Sequence, residues 1–443
     1  MRTLPKAHRK IYENNTLSFF VLFYLQGIPY SLQTRFLPLL LTEKGTALFY
    51  IALYKLAILP WAMKIIWAPV SIITGQQKRK YLNASLAGLI LVCLAISRYP
   101  PWNTFCFSLV LVMFNVVASL SDVALNTLVD EVSEKRRASY TDRLQFVGNC
   151  AGALTVGIAA CLTDFIKWQE LFSGLAVLYF IGLLTSTCIL PQWKTPRARD
   201  ISLSKNTKRG SRRSVSQDLD SSLDNGLDSY YTIKFTTSYM NKLLKTEGSW
   251  WLILMLLGYK VGEQGLMNNF PLYLLRKHYN ISDVGFWTAF FSQAMSVSGS
   301  IFGFYFKSRT LKRAVMVHFI ARALFSCFLW FSVMKWDVFP DNSYVMSIAS
   351  FSALFFISAS MTSCVLQMIA RVSHGAPRKI RKDLFDLLLT ADVFGKVFLT
   401  TLLGGCMHFY GVFFEDMFGV YVTFSIVLIP MFYVVSKRIC AQG

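Results

Sequence analysis

The chain has 443 residues, of which 54% are hydrophobic and only 16% are charged. Soluble domains are nearer a quarter charged, so this composition excludes an ordinary soluble protein and predicts a multi-pass membrane protein. The net charge of +21 would suit a nucleic-acid-binding protein, but lysine and arginine collect in the loops between apolar segments. That placement is a signal of membrane topology, and no nucleic-acid partner is expected.

Twelve apolar segments are long enough to cross a bilayer. The first follows a basic head, but it is too long for a signal peptide and lacks a small-residue cleavage site. The predicted spans are roughly 17–42, 46–73, 81–98, 102–128, 144–164, 170–190, 249–276, 282–306, 313–334, 343–368, 384–411 and 415–435. We therefore expect an all-α membrane protein with twelve transmembrane helices.

Lysine and arginine are divided unevenly between the two sides of the predicted bundle. With the N-terminus in the cytosol, 33 of the 45 basic residues fall on the cytosolic side, 6 on the opposite side and 6 within spans. Cytosolic loops of membrane proteins carry such an excess of Lys and Arg. Both termini are therefore predicted to be cytosolic, and both the endoplasmic reticulum and the plasma membrane fit as the location.

A polar stretch divides the spans into two groups of six. Residues 194–247 are rich in Ser, Lys, Arg and Asp, a composition typical of a disordered linker. The linker is predicted to lie in the cytosol, between a six-helix half at 1–193 and a second six-helix half at 248–443. We expect the chain to act as a monomer.

The two halves have similar sequence patterns. "FLPLLLTEKG" at 36–45 matches "NFPLYLLRKH" at 269–278, which aligns Pro38 with Pro271. Gly152 in the fifth span aligns with Gly395 in the eleventh. These matches predict two six-helix repeats related by an axis along the membrane normal, an arrangement found in transporters.

Nine Lys, Arg, Asp and Glu residues lie well inside the predicted spans, away from the span ends. The basic ones are Arg35, Lys55, Lys64, Lys260, Arg322 and Lys396, and the acidic ones are Asp122, Glu263 and Asp392. Such residues face the protein interior or a wet cavity, and they pair with one another. Each allows two interpretations, a buried ion pair that joins helices or a ligand or proton site.

The spacing of four of these residues indicates local pairs. Lys260 and Glu263 are i,i+3, and Asp392 and Lys396 are i,i+4, so each pair would share a helix face. We favour a functional role for all four. In this hypothesis Glu263 holds a lysine until substrate or a proton competes for the pair.

The sign of the span charges favours an anionic substrate, because burying surplus cations is costly. Arg35 is the best single contact for an anion, since its planar fork matches carboxylate and phosphate groups. We favour a structural role for two other cations. Lys64 lies near the cytosolic end of its helix, and Arg322 lies on the ninth helix.

Polar and small residues beside the charges complete the predicted site. Substrate contacts are assigned to Gln26, Tyr30, Arg35, Lys55, Lys260, Gln264 and Lys396, and coupling or ion pairing to Asp122, Glu263 and Asp392. Gly258, Gly262, Gly265 and the stretch Gly27–Pro29 either loosen their helices around a cavity or allow tight helix packing.

Signatures of common enzymes are absent from the sequence. It contains no GxxxxGK[ST], GxSxG, HExxH or GxGxxG motif, and its five histidines are scattered, which argues against a metal site. We expect no enzymatic activity, no cofactor and no metal.

Five segments resemble a known family. They are "LQGIPYSLQ" (25–33), "LPWAMKIIWAPV" (59–70), "SDVALNTLVDE" (121–131), "GYKVGEQG" (258–265) and "APRKI" (376–380). Each is similar to a segment of the acetyl-coenzyme A transporter-like branch of the major facilitator superfamily. That branch includes bacterial muropeptide permeases and animal members, and GYKVGEQG is most similar to the latter. The resemblance implies the twelve-helix major facilitator fold, with Lys64, Trp67, Pro69, Gly262 and Gly265 in structural motifs.

These observations predict a secondary active transporter that works by alternating access. The substrate class they favour is an anionic organic solute such as acetyl-coenzyme A, with proton coupling as one version of the mechanism. A transporter of an amino sugar or a peptide is an alternative. So is a non-transporting membrane scaffold or chaperone in which the charges are only structural.

Overall fold

The described parts of the chain fold into helices. The structure, a computed structural model, describes residues 6–62, 75–99, 104–133, 138–189, 244, 246, 248–306, 311–377 and 380–440. Its elements in these ranges are all helical, which confirms the predicted fold class. Apart from Leu244 and Thr246, the predicted linker at 194–247 lies outside the described residues, so it stays a prediction.

The first half contributes six helical segments. They are α1 (Lys6–Ser31, a π turn at Leu32–Phe36, and Leu37–Glu43), α2 (Leu48–Leu56 and Leu59–Ala62), α3 (Gly75–Arg98), α4 (Thr104–Ser133), α5 (Ala138–Cys161) and α6 (Trp168–Leu184 with a π turn at Thr185–Ile189). Apolar side chains from all six pack into one core.

The second half repeats this arrangement. Its segments are α7 (Ser249–Gly258 and Val261–Arg276), α8 (Ile281–Gly285, a π turn at Phe286–Phe291, and Ser292–Phe304), α9 (Leu311–Met334), α10 (Pro340–Gly375), α11 (Arg381–Phe394, a π turn at Gly395–Leu399, and Thr400–Phe409) and α12 (Phe414–Cys440). Within the described part of the chain, eight helices of the two halves are long and apolar enough to cross a membrane.

The two halves make the same close helix contact. A Cβ atom at Gly152 of α5 would overlap the carbonyl oxygen of Tyr24 on α1, and one at Gly395 of α11 would overlap that of Leu257 on α7. The alignment of Pro38 with Pro271 places Tyr24 opposite Leu257. Small residues let helix backbones approach closely, so α1 on α5 corresponds to α7 on α11, as the repeat predicts.

Of the two interpretations of the glycines in α1 and α7, close packing fits Gly27, Gly262 and Gly265, whereas the helix break in α7 directly follows Gly258. α1 runs without interruption through Gly27–Pro29, and its irregular turn comes later, at Leu32–Phe36. In α7 the helix is interrupted at Tyr259 and Lys260. Cβ atoms at Gly262 and Gly265 would overlap Ser425 and Tyr421 of α12, so these two glycines bring α7 against α12.

The halves meet at the end of the bundle where α1 ends and α8 begins. Leu39 of α1 lies in an apolar cluster of the second half, and Leu272 of α7 lies in the core of the first. The hydroxyl of Ser282 on α8 donates a 2.6 Å hydrogen bond to the carbonyl of Cys161 at the end of α5. This end of the interface is therefore closed by direct contact.

We expect Gly152→Ala to destabilise the protein by about 1–3 kcal/mol, the usual cost of overpacking a tight contact. The added methyl group would push α1 away from α5. Gly174→Ala on α6 is the matched control, because no atom lies within 4 Å of a Cβ at that position. Thermal unfolding of both variants in detergent tests this, and equal melting temperatures would contradict the close-contact interpretation.

Candidate functional site

A central cavity of about 600 Å³ lies between the two halves. This volume is typical of small-molecule sites, which span about 300–1,000 Å³. All seven residues predicted to contact substrate line it, namely Gln26, Tyr30, Arg35, Lys55, Lys260, Gln264 and Lys396, and so does Asp122. The sequence thus identified the side chains that meet at the interface, and their role in binding stays a prediction.

Two of the cavity's cations are placed by π turns. Arg35 lies in the π turn of α1, and Lys396 lies in the π turn of α11. A π turn contains one residue more than an α-helical turn and often occurs at functional sites. Because of the extra residue, Arg35 shares the cavity face with Tyr30, five positions earlier, which a regular α-helix would turn away.

Three cationic side chains of the cavity, Arg35, Lys55 and Lys396, form no ion pair with a carboxylate of the described residues. Arg35 donates a long 3.4 Å hydrogen bond to the carbonyl of Ala289 and lies 4.8 Å from the ring centre of Phe355. Lys396 lies 4.4 Å from the ring centre of Tyr30. Among the described residues, no carboxylate lies within ion-pair distance of Arg35, Lys396 or Lys55.

These cations give the cavity a positive character. Arg35 and Lys396 are close enough for their charges to repel each other. The aromatic rings of Phe355 and Tyr30 stabilise them in part, because a ring face attracts a cation. Asp122 is the carboxylate among the described lining residues, and it accepts a 3.2 Å hydrogen bond from the amide of Asn126.

The fourth cation of the cavity, Lys260, pairs with an acid on another helix. Its ammonium lies 3.6 Å from Asp392 of α11, whose side chain is 16% exposed. The hydroxyl of Tyr259 donates a 2.6 Å hydrogen bond to the same carboxylate oxygen. Asp392 does not line the cavity, so Lys260 connects the cavity to a carboxylate behind it.

The expected local pairs are therefore wrong. Lys260 pairs with Asp392 rather than Glu263, because the interruption of α7 at Tyr259–Lys260 removes the regular turn that would align i and i+3. Lys396 turns towards Tyr30 rather than Asp392, since it lies in the π turn of α11.

Glu263 pairs with Arg322, for which the sequence favoured a structural role on the ninth helix. One Arg322 nitrogen donates a 3.0 Å hydrogen bond to Glu263 and a 2.6 Å hydrogen bond to the carbonyl of Tyr259. Both side chains of the pair are only 1% exposed. Glu263 does not line the cavity, and the pair joins α9 to the interrupted turn of α7. A structural role for Arg322 thus agrees with the geometry, whereas a lysine as the partner of Glu263 does not.

The remaining predicted positions divide into two groups. Lys64, Trp67 and Pro69 lie outside the described residues. Gly262 and Gly265 pack on α12, which agrees with a part in a structural motif.

Sequence reasoning missed several polar residues of the site. Tyr259 bonds to Asp392, although the sequence showed it only as a letter of the GYKVGEQG motif. Gln145 and Asn149 of α5 and Thr362 of α10 also line the cavity. An amide or hydroxyl in an apolar helix is a weak signal, because it can bond to its own helix backbone.

The buried Arg322–Glu263 pair can be tested by double substitution. Arg322→Met alone leaves a buried unpaired carboxylate, so we expect a loss of about 3–5 kcal/mol of unfolding free energy. Replacing both partners, Arg322→Met with Glu263→Leu, should cost less than the single change. Lys277→Met is the control, because its partners Asp337 and Glu415 are 84% and 47% exposed and such exposed pairs each contribute at most about 1 kcal/mol. Chemical unfolding in detergent measures the unfolding free energy of all three variants. A double variant that is less stable than Arg322→Met would contradict the pairing.

Comparison with known proteins gives the family and the fold. Residues 25–382 match the sequence profile of the Major Facilitator Superfamily. The inward-open xylose transporter XylE from E. coli is similar, with 12% identity, a TM-score of 0.63 and coverage of 95% of this chain and 96% of that one. A mutant of the nucleoside transporter NupG has 14% identity, a TM-score of 0.63 and coverage of 95% and 99%.

A third similar structure is a POT family transporter in complex with a thioalcohol-conjugated peptide. It has 12% identity, a TM-score of 0.64 and coverage of 97% of this chain and 96% of that one. Such low identities concern the fold alone, and one fold can host many functions. The profile match over most of the chain gives the family directly: the chain is a multi-pass membrane protein that belongs to the Major Facilitator Superfamily.

Proposed function

We propose that the chain is a secondary active transporter that moves an anionic organic solute, such as acetyl-coenzyme A, by alternating access. The observation that supports this most strongly is the central cavity, which both halves line and which holds Arg35, Lys55 and Lys396 with no carboxylate partner among the described residues. A purely structural bundle gains nothing from uncompensated cations, because each costs free energy when it leaves water.

The position of the cavity fits alternating access. In transporters built from two repeats, the site lies at the repeat interface, and the halves rock around it. Here α1, α2, α4 and α5 line the cavity from one side and α7, α8, α10 and α11 from the other, and direct contacts such as Ser282 to Cys161 close one end. On the predicted topology, with both termini in the cytosol, the closed end faces away from the cytosol.

The charged and the uncharged lining residues would contact different parts of the solute. Arg35 can form two parallel hydrogen bonds to a carboxylate or phosphate, because its guanidinium presents a planar fork. Lys55 and Lys396 contribute point charges, while Gln26, Tyr30 and Gln264 offer polar groups that can orient the uncharged part of the solute. The cavity volume of about 600 Å³ leaves room for an organic anion and is far larger than an inorganic ion needs.

We expect proteoliposomes that contain the purified protein to take up radiolabelled acetyl-coenzyme A. Arg35→Gln and Lys396→Gln should each lower the initial rate or the affinity about tenfold or more, since a contact worth about 1.4 kcal/mol corresponds to a factor of ten. Lys277→Gln is the matched control, because it removes a cation that lies outside the cavity.

A panel of solutes distinguishes the alternatives in the same assay. Uptake of an amino sugar or a peptide, unaffected by Arg35→Gln, would contradict an anionic solute. Failure to bind or move any solute of the panel would favour a scaffold.

A further inference from the structure

We propose that the side-chain amide of Gln293 on α8 forms a second binding contact in the cavity and selects solutes that carry an amide group about 6 Å from their anionic group. This inference rests on the proposed function and deepens it, because it names the chemistry that the solute needs besides its charge. It makes Gln293 a specificity-determining residue of the cavity.

Gln293 is a buried polar side chain in the wall of the cavity. Its exposed fraction is 9%, and its amide forms no hydrogen bond with any described residue. A buried amide without a partner costs free energy, and most buried polar groups in native proteins have a partner. The amide offers two N–H donors and an acceptor oxygen, so it can donate to the carbonyl of a solute amide or accept from its N–H.

The hydroxyl groups on either side of Gln293 are bonded within their own helix. Thr288 and Ser292 donate hydrogen bonds of 2.6 and 2.7 Å to the carbonyls of Val284 and Trp287. Short hydroxyl side chains often turn back onto the helix in this way. Gln293 makes no such bond among the described residues, so its amide stays available to a solute in the cavity.

The spacing between Gln293 and the anion contact is set by helix geometry. The carbonyl of Ala289 on α8 accepts the 3.4 Å hydrogen bond from Arg35, and Gln293 lies one turn farther along the helix. At about 1.5 Å per residue, this step is about 6 Å along the helix axis. Because α8 begins at the closed end of the interface, Gln293 lies on the open side of Arg35. A solute whose anionic group reaches Arg35 therefore has its adjoining part beside Gln293.

The neighbouring helix α10 shows the same order of groups along the cavity. Phe355, whose ring centre lies 4.8 Å from Arg35, is followed on the cavity wall by Ser358 and Thr362, about 5 and 10 Å farther along the helix. Every described lining residue of α8 and α10 is uncharged. This side of the cavity beyond Arg35 thus suits an uncharged, hydrogen-bonding part of the solute.

The direct test is a binding measurement with two acids of equal chain length. N-acetyl-ε-aminocaproate carries an amide at about the required distance from its carboxylate, and nonanoate carries no amide. Isothermal titration calorimetry of the purified full-length protein gives both dissociation constants. We expect the preference for the amide acid over nonanoate to fall about tenfold in Gln293→Met, because the variant cannot form the hydrogen bond. Partitioning into detergent affects both proteins equally and cancels in this ratio.

A matched variant separates binding from folding. Gln367→Met makes the same change outside the cavity, where the amide already donates a 3.3 Å hydrogen bond to the carbonyl of Gly303. This control should melt at a lower temperature and keep the wild-type preference. Gln293→Met removes an amide with no described partner, so without solute it should melt no lower than the wild type. A structural role for Gln293 would give the opposite result, a lower melting temperature with an unchanged preference.

N-acetylglycine tests the spacing, because its amide directly adjoins the carboxylate, and Gln293→Met should leave its affinity unchanged. An unchanged preference in Gln293→Met, or an equal loss of affinity for N-acetylglycine, would overturn the proposal. So would failure of the wild type to bind the amide acid, although the proposed function survives that result if uptake of acetyl-coenzyme A depends on Arg35. If the preference depends on Gln293 while Arg35→Gln leaves both affinities unchanged, the anionic solute class fails and the amide contact stands.

Discussion

A charge inside a bilayer needs a partner of opposite sign or contact with water, and this constraint organises the interior of the protein. A charged side chain at the centre of a lone helix costs several kcal/mol, about 2.5–3.5 on insertion scales. The bundle meets the constraint in three ways. Arg322 and Glu263 neutralise each other out of reach of water, Lys260 and Asp392 do so loosely beside the cavity, and Arg35 and Lys396 face aromatic rings.

These three solutions have different consequences for motion. A fully buried pair is held by the large cost of separating its members, so Arg322 fastens α9 to the irregular turn of α7. A loose pair at the edge of a cavity can open at little cost when a second anion arrives. A cation that faces an aromatic ring without an ion-pair partner can bind an anion without first breaking an ion pair. The centre of the bundle therefore holds a fully buried ion pair, a longer ion pair beside the cavity and two cations that face aromatic rings.

The length of the hydrophobic segments was sufficient to predict the helices, whereas the orientation inferred from Lys and Arg stays a prediction. The repeat was visible in Gly152 and Gly395, because a contact between backbones tolerates only glycine and so leaves a sequence signal. The same reasoning predicted which charged residues meet, since a cation within a membrane span must face the interior. The same reasoning predicted the wrong ion-pair partners, because the i,i+3 and i,i+4 spacings bring side chains together only in a regular helix. The interruption at Lys260 and the π turn at Lys396 turn these side chains towards Asp392 and Tyr30. A glycine lies beside each irregularity, but glycine also suits close packing and does not show which way a neighbouring side chain will turn.

The π turns also bear on how such a site can change over generations. A π turn is in effect a one-residue insertion within a helix, accommodated without moving the helix ends far. Deleting a single codon in the turn of α1 would restore regular winding and rotate Arg35 relative to the residues before it. The charge of the cavity is thus set by helix length as well as by residue identity. Relatives of equal composition could differ in solute preference through a gap of one position, a difference that a comparison of substitutions alone would overlook.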